Sequence, residues 1–413
     1  MIKHSQYFTQ QLIASALVKM VPAKGINKIL DLGIGDGALS LAALNRFSEA
    51  IVDAMDIDPD ICKKYQTEST WNLNVFHGDV LCSDDMNVLN RGSYDLAVCN
   101  PPYGSVKKNN DYDEIFFRTS LNGCLELKTL SKDIIFMCRC LDFVREGGYV
   151  AIILPDGPLS RKDYFPFRKS LLANYCVERI VQMPEKAFLS TEATTHILVV
   201  KKGEMSTDMI PVSLMKADGS IGEACLVDKI QLENRMDYSF CIWHKSFKMK
   251  MCHENIQIDI KRGSYSHCNL KKMKFPYLHS TGFSDSQVLN CEDFEYNLSS
   301  KVIARKGDII MCRVGKRCVG KVAMISKGAV LLSDCLYKIS VPQDYSSFLF
   351  EVLSSQYTKI WVSAVAHGVC SRVISKSDLE DYITFILSHI DDSQFSLVYK
   401  NNRVLGNYGK DTF

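Results

Sequence analysis

The first half of the chain alternates short apolar runs with segments of helical spacing. The runs NKILDL, AIVDAMDI, YDLAVCN and YVAIILP are typical of buried strands, and HILVVKK is a later strand that ends before Gly203. Between them, ALSLAALNRF and SKDIIFMCRCLDFVREGG repeat apolar residues with the spacing of a helix face. Because strands separated by helices are joined by parallel crossovers, we predict an α/β, doubly wound sheet with helices on both faces.

The pattern changes after residue 203. MIPVSLMKADGSIGEACLV resembles hairpins joined by Gly and Asp turns, and later β-rich runs are broken at Gly307, Gly315, Gly320 and Gly328. A helix is predicted at SSFLFEVLSSQYTKIWVSAV. We therefore predict an α/β domain over residues 1–203 and a β-rich α+β domain over 204–413, with a linker at about 204–230 and a loose C-terminal tail.

Composition narrows the class of protein. The 413 residues are 46% hydrophobic and 23% charged, and no apolar run reaches the roughly 18 residues that span a bilayer. The N-terminus lacks a small-residue cleavage site, so we expect a cytoplasmic protein. The 16 cysteines include no Cys-x-x-Cys pair, and we expect them to be reduced and buried, with no metal site.

Charge is distributed unevenly along the chain. Residues 1–203 carry 23 Lys and Arg against 24 Asp and Glu, a balance of −1, whereas residues 261–327 carry 13 against 5, a balance of +8. A local basic surface is typical of nucleic-acid binding. The alternative at this point is a solvated basic face that binds nothing.

A glycine-rich loop follows the first predicted strand and opens a helix. In DLGIGDGALS, Gly33, Gly35 and Gly37 let the backbone turn tightly and approach a ligand closely. Asp56 ends the next strand, where a carboxylate can accept hydrogen bonds from ribose hydroxyls. Asp36 beside the loop would repel a pyrophosphate, so a phosphate-free nucleoside such as S-adenosylmethionine fits better. Alternatively, the glycines serve only the strand-to-helix turn.

Asp79 in VFHGDVL ends the third predicted strand. Its carboxylate could accept a hydrogen bond from the exocyclic amine of an adenine ring. Most aspartates at strand ends only cap turns. Taken alone, Asp79 is therefore no better evidence for adenine binding than for a capped turn.

The stretch AVCNPPYG stops a buried strand with an amide, two prolines and an aromatic ring. The Asn100 side-chain carbonyl and the Pro101 carbonyl can converge as two acceptors on one NH₂ group, on a backbone stiffened by Pro101 and Pro102. Two acceptors localise the lone pair of an aromatic amine for attack on a methyl-sulfonium. Tyr103 supplies a face on which a base removed from its helix can stack. The alternative is a simple proline-rich turn.

These motifs, in this order, resemble the gamma-class adenine-N6 DNA methyltransferases of restriction-modification systems. The resemblance covers residues 1–203 and implies methyl transfer from S-adenosylmethionine to the N6 atom of a flipped adenine. It assigns Thr9 and the loop from Asp31 to Gly37 to the methionine part of the cofactor. Gln10 stands where relatives often have proline. The remaining implied roles are the cofactor ribose for Asp56 with its neighbour Ile57, the cofactor adenine for Asp79, and the target base for Asn100 to Tyr103 and for Phe188, in MPEKAFLSTEATTHILVV.

The C-terminal half resembles one target-recognition domain of the specificity subunits of type I restriction systems. The phrases that carry this resemblance include RMDYSF, IKRGSYS, PYLHSTGF and KGDIIMCRVGKRCVGKVAMI. It implies a domain that reads double-stranded DNA, with basic side chains at phosphates or base edges. The candidate DNA-binding residues are Lys261, Arg262, Arg313, Lys316, Arg317 and Lys321.

Three alternatives remain open from the sequence. The same two hydrogen-bond acceptors would suit the planar NH₂ group of an RNA base or of a protein glutamine, so the substrate of the methyltransferase could be RNA or protein. Cytosine-N4 modification of DNA is a closer variant. The chain could instead be a non-catalytic DNA specificity module. As partners we expect duplex DNA and a separate restriction nuclease but no membrane, with the chain a monomer or a homodimer.

Overall fold

A computed structural model describes residues 9–67, 72–184, 194–246, 257–273, 275–294, 302–368 and 371–388. The chain divides into two compact units, Met1–Ile242 and Trp243–Phe413. In the described parts, no helix is both long and apolar enough to cross a membrane.

The first unit is built on one nine-stranded sheet and a short two-stranded ribbon. Its strands are β1 (Lys28–Leu32), β2 (Ile51–Asp56), β3 (Leu73–His77), β4 (Tyr94–Cys99), β5 (Ser105–Val106), β6 (Leu130–Ser131), β7 (Val144–Pro155), β8 (Cys176–Gln182), β9 (Thr195–Lys201), β10 (Met209–Leu214) and β11 (Cys225–Asp228). The large sheet has the order β11-β10-β8-β9-β7-β4-β1-β2-β3, and β5 pairs with β6. Neighbouring strands from β7 to β3 are parallel, whereas β9 is antiparallel to both β7 and β8.

Helices cover both faces of this sheet. They are α1 (Gln11–Met20), α2 (Ala38–Arg46), α3 (Pro59–Thr67), α4 (Asn110–Arg118), α5 (Lys132–Phe143), α6 (Asp156–Ser160), α7 (Phe165–Asn174), α8 (Lys229–Asn234) and α9 (Tyr238–Ser246). Three 3₁₀ turns lie at Asp85–Val88, Asn122–Glu126 and Lys162–Tyr164.

Successive residues of the central strands enter opposite hydrophobic cores. In β1, Ile29 packs in the core that contains Leu17 of α1, whereas Leu30 packs in the core that contains Ile134 of α5. A strand buried on both sides is mostly apolar along its length, which is why these strands are near-continuous apolar runs, with buried polar residues such as Asp31 of β1 as exceptions. The predicted α/β class is confirmed.

The predicted strands of the first half are present, with one change at a boundary. The helical segment predicted over SKDIIFMCRCLDFVREGG ends at Phe143, and the following residues begin β7. Val144 pairs with Tyr94 of β4, and the neighbouring Arg145 donates to the Asp95 carboxylate at 2.6 Å. Pairing with β4 therefore overrides helical spacing at this point.

The sheet continues past residue 203, where we placed the domain boundary. The predicted hairpin over MIPVSLMKADGSIGEACLV is confirmed as the antiparallel pair β10 and β11. However, β10 also pairs in parallel with β8, so the predicted linker region forms the edge of the first unit's sheet. The first compact unit consequently extends to Ile242, and the division falls within α9.

The second unit contains two small sheets and four helices among its described residues. Its strands are β12 (Asp259–Arg262), β13 (Tyr277–Leu278), β14 (Gln287–Asn290), β15 (Ile303–Arg305), β16 (Ile309–Cys312), β17 (Val322–Lys327), β18 (Ala329–Leu332) and β19 (Leu336–Ser340). Its helices are α10 (His267–Lys271), α11 (Gln343–Leu353), α12 (Gln356–Val365) and α13 (Lys376–Ser388). The sheets have the orders β12-β19-β16-β17-β14 and β13-β18-β15. This is the β-rich α+β class predicted for the second half.

Of two features predicted for the second unit, one is observed and the other is changed. The four glycines predicted to break the β-rich runs all have positive φ, between 76° at Gly328 and 136° at Gly315. The single helix predicted over SSFLFEVLSSQYTKIWVSAV is two helices, α11 and α12. Ser355 caps α12 by accepting the Thr358 N–H at 3.4 Å, and a serine at this position favours a new helix start.

Candidate functional site

Four adjacent parallel strands end at the same edge of the large sheet. In the order β4-β1-β2-β3, their ends present Asn100, the loop from Gly33, Asp56 and Asp79. The chain separates these residues widely, but strand pairing brings them to one edge. Open α/β sheets bind ligands at this edge, so the arrangement is that of a binding site.

The loop between β1 and α2 is held by backbone hydrogen bonds. Gly33 N–H and Ile34 N–H both donate to the Met55 carbonyl, at 2.8 and 3.2 Å, and Gly37 N–H donates to the Ile34 carbonyl at 2.9 Å. Gly33, Gly35 and Gly37 all have positive φ, at 83°, 53° and 79°. A Cβ at Gly37 would collide with the Tyr65 hydroxyl. This loop therefore requires glycine for both its backbone conformation and its close packing.

Asp31 is a buried carboxyl group directly before this loop. Its Oδ2 accepts a hydrogen bond from the Ser40 hydroxyl at 2.6 Å. Within the described residues, its Oδ1 has no hydrogen-bond partner. Burial is the main reason that the pKa of Asp31 rises from 3.8 to about 7, with the charge of Asp56 raising it further and the Ser40 bond opposing the rise. A buried carboxyl with one unused oxygen suits a polar or cationic ligand group.

Asp56 organises the loop from the neighbouring strand. Its Oδ2 accepts the Gly35 N–H and its Oδ1 accepts the Asp58 N–H, both at 2.9 Å. Because each carboxylate oxygen can accept about two hydrogen bonds, the group retains acceptor capacity for a ligand hydroxyl. The next residue, Ile57, has an exposed side chain at the same strand end.

Asp79 lies two residues beyond the end of β3. Its Oδ1 accepts the Leu81 N–H at 2.9 Å, so the turn-capping alternative is observed. Its own N–H donates to Asp85 at 2.7 Å. This position is therefore a rigid turn, and a role toward a cofactor remains a prediction.

The residues of the NPPY motif lie at the end of β4. Pro101 is buried, and Asn100, Pro102 and Tyr103 are partly buried. Asn100 Nδ2 donates to the Thr9 hydroxyl oxygen at 2.9 Å, so the structure brings together two predicted site residues that are 91 positions apart. Phe188 lies outside the described residues, as do the residues before Thr9.

The six predicted DNA-binding residues of the second unit differ in their contacts. Arg262 and Arg313 both donate to the Asp334 carbonyl, at 3.0 and 3.2 Å, and Arg262 also pairs with the Asp334 carboxylate. Lys261 pairs with Asp259 at 2.9 Å. Lys316 and Arg317 are exposed and Lys321 is partly buried. Arg317 and Lys321 make no salt bridge with any described residue.

Two further residues, not predicted from the sequence, support the site. Ser40, which holds Asp31, lies in the first turn of α2, and Asp85, which holds the Asp79 backbone, lies in a 3₁₀ turn. Serine and aspartate are common in first helical turns and in loops without any link to ligand binding, so nothing in the sequence distinguishes these two from others. Only the fold shows which strand end each one contacts.

The sequence profile of the N-6 DNA Methylase family matches residues 2–221, which is more than half of the chain. The chain belongs to the N-6 DNA methylase family. The matched range contains all the strand ends of the site described above. It finishes between β10 and β11, the hairpin at one edge of the large sheet.

Several curated relatives are similar to parts of the chain. The Type II methyltransferase M.AccI of Acinetobacter calcoaceticus is 26% identical over 268 residues, which are 60% of this chain and 46% of the relative. The Type I restriction enzyme MpnII methylase subunit of Mycoplasma pneumoniae is 25% identical over 228 residues, 50% of this chain and 41% of the subunit. The tRNA1(Val) (adenine(37)-N6)-methyltransferase of Vibrio campbellii is 33% identical over 135 residues, 29% of this chain and 53% of that enzyme. The chain thus spans about half the length of the relatives it matches.

Family membership implies S-adenosylmethionine as the cofactor, and the strand edge fits such a molecule. The glycine loop turns tightly at this edge with positive φ at Gly33, Gly35 and Gly37, and Asp31 offers an unused buried oxygen beside it. Asp56 offers further acceptor capacity one strand away. Acidic groups suit a cofactor that carries a sulfonium and an ammonium and has no phosphate.

Proposed function

We propose that this methylase transfers a methyl group from S-adenosylmethionine to the exocyclic N6 of a flipped adenine in duplex DNA, as a gamma-class enzyme. The observation that carries the proposal is the NPPY motif at the end of β4, beside the glycine loop at the end of β1. Adjacent parallel strands thus present acceptors for an amine and a loop for a cofactor at one edge. The family match supports methyl transfer to an adenine nitrogen.

In this proposal, the NPPY residues grip the target amine. The Asn100 amide oxygen and the Pro101 carbonyl each accept one hydrogen of the adenine NH₂ group. These two bonds draw the nitrogen toward tetrahedral geometry and concentrate its lone pair, which ordinarily is delocalised into the ring. No strong base is needed beforehand, because the amine releases its proton after it has gained the methyl group and become cationic.

When bound, S-adenosylmethionine would supply an electrophilic methyl group, whose bond to the sulfonium breaks as the bond to nitrogen forms, and the neutral thioether would be the leaving group. Thr9 and the loop from Asp31 to Gly37 would hold its methionine part, Asp56 and Ile57 its ribose region, and Asp79 its adenine. The rigid backbone bonds of the loop and of the Asp79 turn support these roles, because a preorganised site loses less entropy on binding.

Stacking would hold the flipped base. Tyr103 is partly buried at the strand end and presents one aromatic ring, and Phe188 is the proposed second ring. Stacking on aromatic side chains contributes about 1–3 kcal/mol per base, which offsets part of the cost of taking adenine out of the helix.

The second unit is proposed to be the part that recognises DNA. Its segment 261–327 carries a balance of +8, and Arg317 and Lys321 are available for phosphates because no described carboxylate neutralises them. The resemblance to a type I target-recognition domain supports base readout by the same unit. Restriction activity would then belong to a separate protein, with this chain acting as a monomer or a homodimer.

The experiment that tests the proposal is a methyl-transfer assay with three substrates. Tritiated S-adenosylmethionine is offered with heterologous genomic DNA, with bulk tRNA and with protein extract. We expect label in DNA only, located in N6-methyladenine after nucleoside analysis. Asn100→Ala should lower the rate at least about 100-fold, since it removes one of two acceptors at the reacting nitrogen. The matched control, Asn90→Ala, changes an exposed asparagine in the turn before β4 and should keep full activity.

Other outcomes would favour the alternatives. Label that accumulates in tRNA would favour an RNA substrate, which the similarity to the Vibrio tRNA enzyme makes worth testing. Label in N4-methylcytosine would change the target base but not the chemistry at the amine. DNA binding without cofactor binding would indicate a specificity module.

A further inference from the structure

Thr9, which has so far been proposed only to contact the cofactor, also makes a hydrogen bond with Asn100. Asn100 Nδ2 donates to Thr9 Oγ1 at 2.9 Å. Thr9 is 7% exposed, and it stands just before α1, whose side chains Ile13 and Leu17 pack in a hydrophobic core. The acceptor for the Asn100 amide is therefore fixed to the packed fold.

This bond sets the direction of the whole amide group. An amide is planar, so an NH₂ group that points toward Thr9 turns the amide oxygen away from Thr9. A hydroxyl can also donate, and an amide rotated by 180° could still bond to Thr9. That rotated amide would direct two N–H groups at a target amine that itself offers hydrogens, which leaves the donors unsatisfied. The orientation in the structure is the one that can accept from the substrate.

We propose that Thr9 is a positioning residue that holds the Asn100 amide in the orientation needed to accept from the target amine. This inference rests on the proposed methyl transfer and adds to it a residue that acts through Asn100. Its physical basis is preorganisation. An acceptor that must lose rotational freedom during the reaction lowers the barrier less than one that the fold already holds in place.

The test compares three variants in which a buried threonine is changed. Thr9→Val removes the acceptor but keeps the shape, and Thr9→Ser keeps the hydroxyl. The control is Thr119→Val, because Thr119 is also buried but its hydroxyl donates to the nearby Ile115 carbonyl at 2.7 Å. For each variant we would measure kcat on saturating heterologous DNA, the Kd for S-adenosylmethionine by calorimetry, and the side-chain amide resonance of Asn100 in asparagine-labelled protein.

We expect Thr9→Val, measured at saturating DNA and cofactor, to lower kcat by about 10- to 100-fold and to raise the cofactor Kd by a smaller factor, through the lost contact with the methionine part. The Asn100 amide resonance should shift upfield, because the hydrogen bond to the Thr9 hydroxyl oxygen is lost. Thr9→Ser should stay within about 3-fold of the wild-type kcat and keep the resonance in place. Thr119→Val should match the wild type in all three measurements.

Several results would overturn the inference. If Thr9→Val raised the cofactor Kd by the same factor by which it lowered kcat, Thr9 would act through the cofactor. If Thr9→Ser were as impaired as Thr9→Val, or if the Asn100 resonance did not move in Thr9→Val, the hydroxyl would not hold the amide. A wild-type protein that binds the cofactor but methylates no DNA would refute the proposed function, while the resonance would still report on the Thr9 contact.

Discussion

Asp31 is a residue whose chemistry depends on burial. Its side chain is buried, and one carboxyl oxygen accepts a hydrogen bond from the Ser40 hydroxyl. Desolvation raises the pKa of this group from 3.8 to about 7. Near neutral pH, the free protein therefore carries this group partly protonated. A cationic ligand group beside it would favour the charged form and lower that pKa.

The raised pKa predicts how Asp31→Asn changes stability with pH. Between the ordinary pKa of 3.8 and the folded value of about 7, the folded chain retains a proton that the unfolded chain has released. Rising pH therefore destabilises the wild type over this window, by at most about 4 kcal/mol. Asn carries no charge, so we expect the Tm of Asp31→Asn relative to wild type to be at least about 3 °C higher at pH 8 than at pH 5.

Asp36→Asn is the matched control for this measurement. Asp36 lies in the same loop but is exposed, and its charge is only the smallest of the causes that raise the pKa of Asp31, so its Tm difference from the wild type should change much less with pH. Melting curves of the cofactor-free proteins at both pH values give the comparison. A Tm difference for Asp31→Asn that is the same at pH 5 and pH 8 would contradict a buried, proton-retaining Asp31.

Which site residues could be predicted from sequence depends on where they stand. Asp56 and Asn100 stand at the ends of apolar runs, and the end of a buried strand is visible in the pattern. The bond between Asn100 and Thr9 spans 91 positions, and the bond between Ser40 and Asp31 depends on the turn of α2. Such contacts depend on how elements pack, which periodicity does not encode.

At the scale of elements, the turn from β1 into α2 shapes the cofactor side of the site. Gly37 caps α2 with φ at 79°, and a Cβ there would meet the Tyr65 hydroxyl of α3. Gly37→Ala should lower stability by about 1–2 kcal/mol through the left-handed backbone alone. It should also displace the loop and weaken S-adenosylmethionine binding at least about 10-fold, as calorimetry would show.

Gly25→Ala separates these two effects. Gly25 has φ at 70°, but no atom lies within 4 Å of the position that an added Cβ would take. This variant should share the loss of stability and bind the cofactor like the wild type. Equal cofactor affinity in the two variants would show that the close packing at Gly37 does not shape the binding loop.

The elements themselves were predictable to different degrees. Parallel strands buried on both faces are continuous apolar runs, so β1, β2, β4 and β7 were recognised. The sequence did not predict that β10 belongs to the large sheet, because its pairing with β8 is a long-range contact that leaves no local pattern. The start of β7 was missed for the same reason, since Val144 follows a helix without a break.

At the scale of the whole molecule, the proposal divides chemistry and DNA recognition between the two units. If Arg317 and Lys321 bind phosphates, replacing both by Ala should weaken binding to heterologous duplex DNA. Each lost phosphate contact reduces the slope of log K against log salt by about 0.9, so the double variant should lose about 2. Titrations by fluorescence anisotropy at several salt concentrations measure this slope.

Lys376→Ala is the control for charge in the same unit. Its Nζ already pairs with Glu380 at 3.2 Å on the surface of α13, so its removal should leave the slope unchanged. A double variant with the wild-type slope would place the DNA-binding surface elsewhere in the protein.

The central claim is that this chain methylates adenine N6 in DNA, and genome-wide detection of modified bases tests it most directly. The protein and its Asn100→Ala variant would be expressed in cells that lack other DNA methyltransferases, and their DNA read by single-molecule sequencing. The account predicts N6-methyladenine at one recurring sequence context with the wild type and none with the variant. Unmodified DNA from cells that contain folded wild-type protein, or equal modification with both proteins, would contradict it.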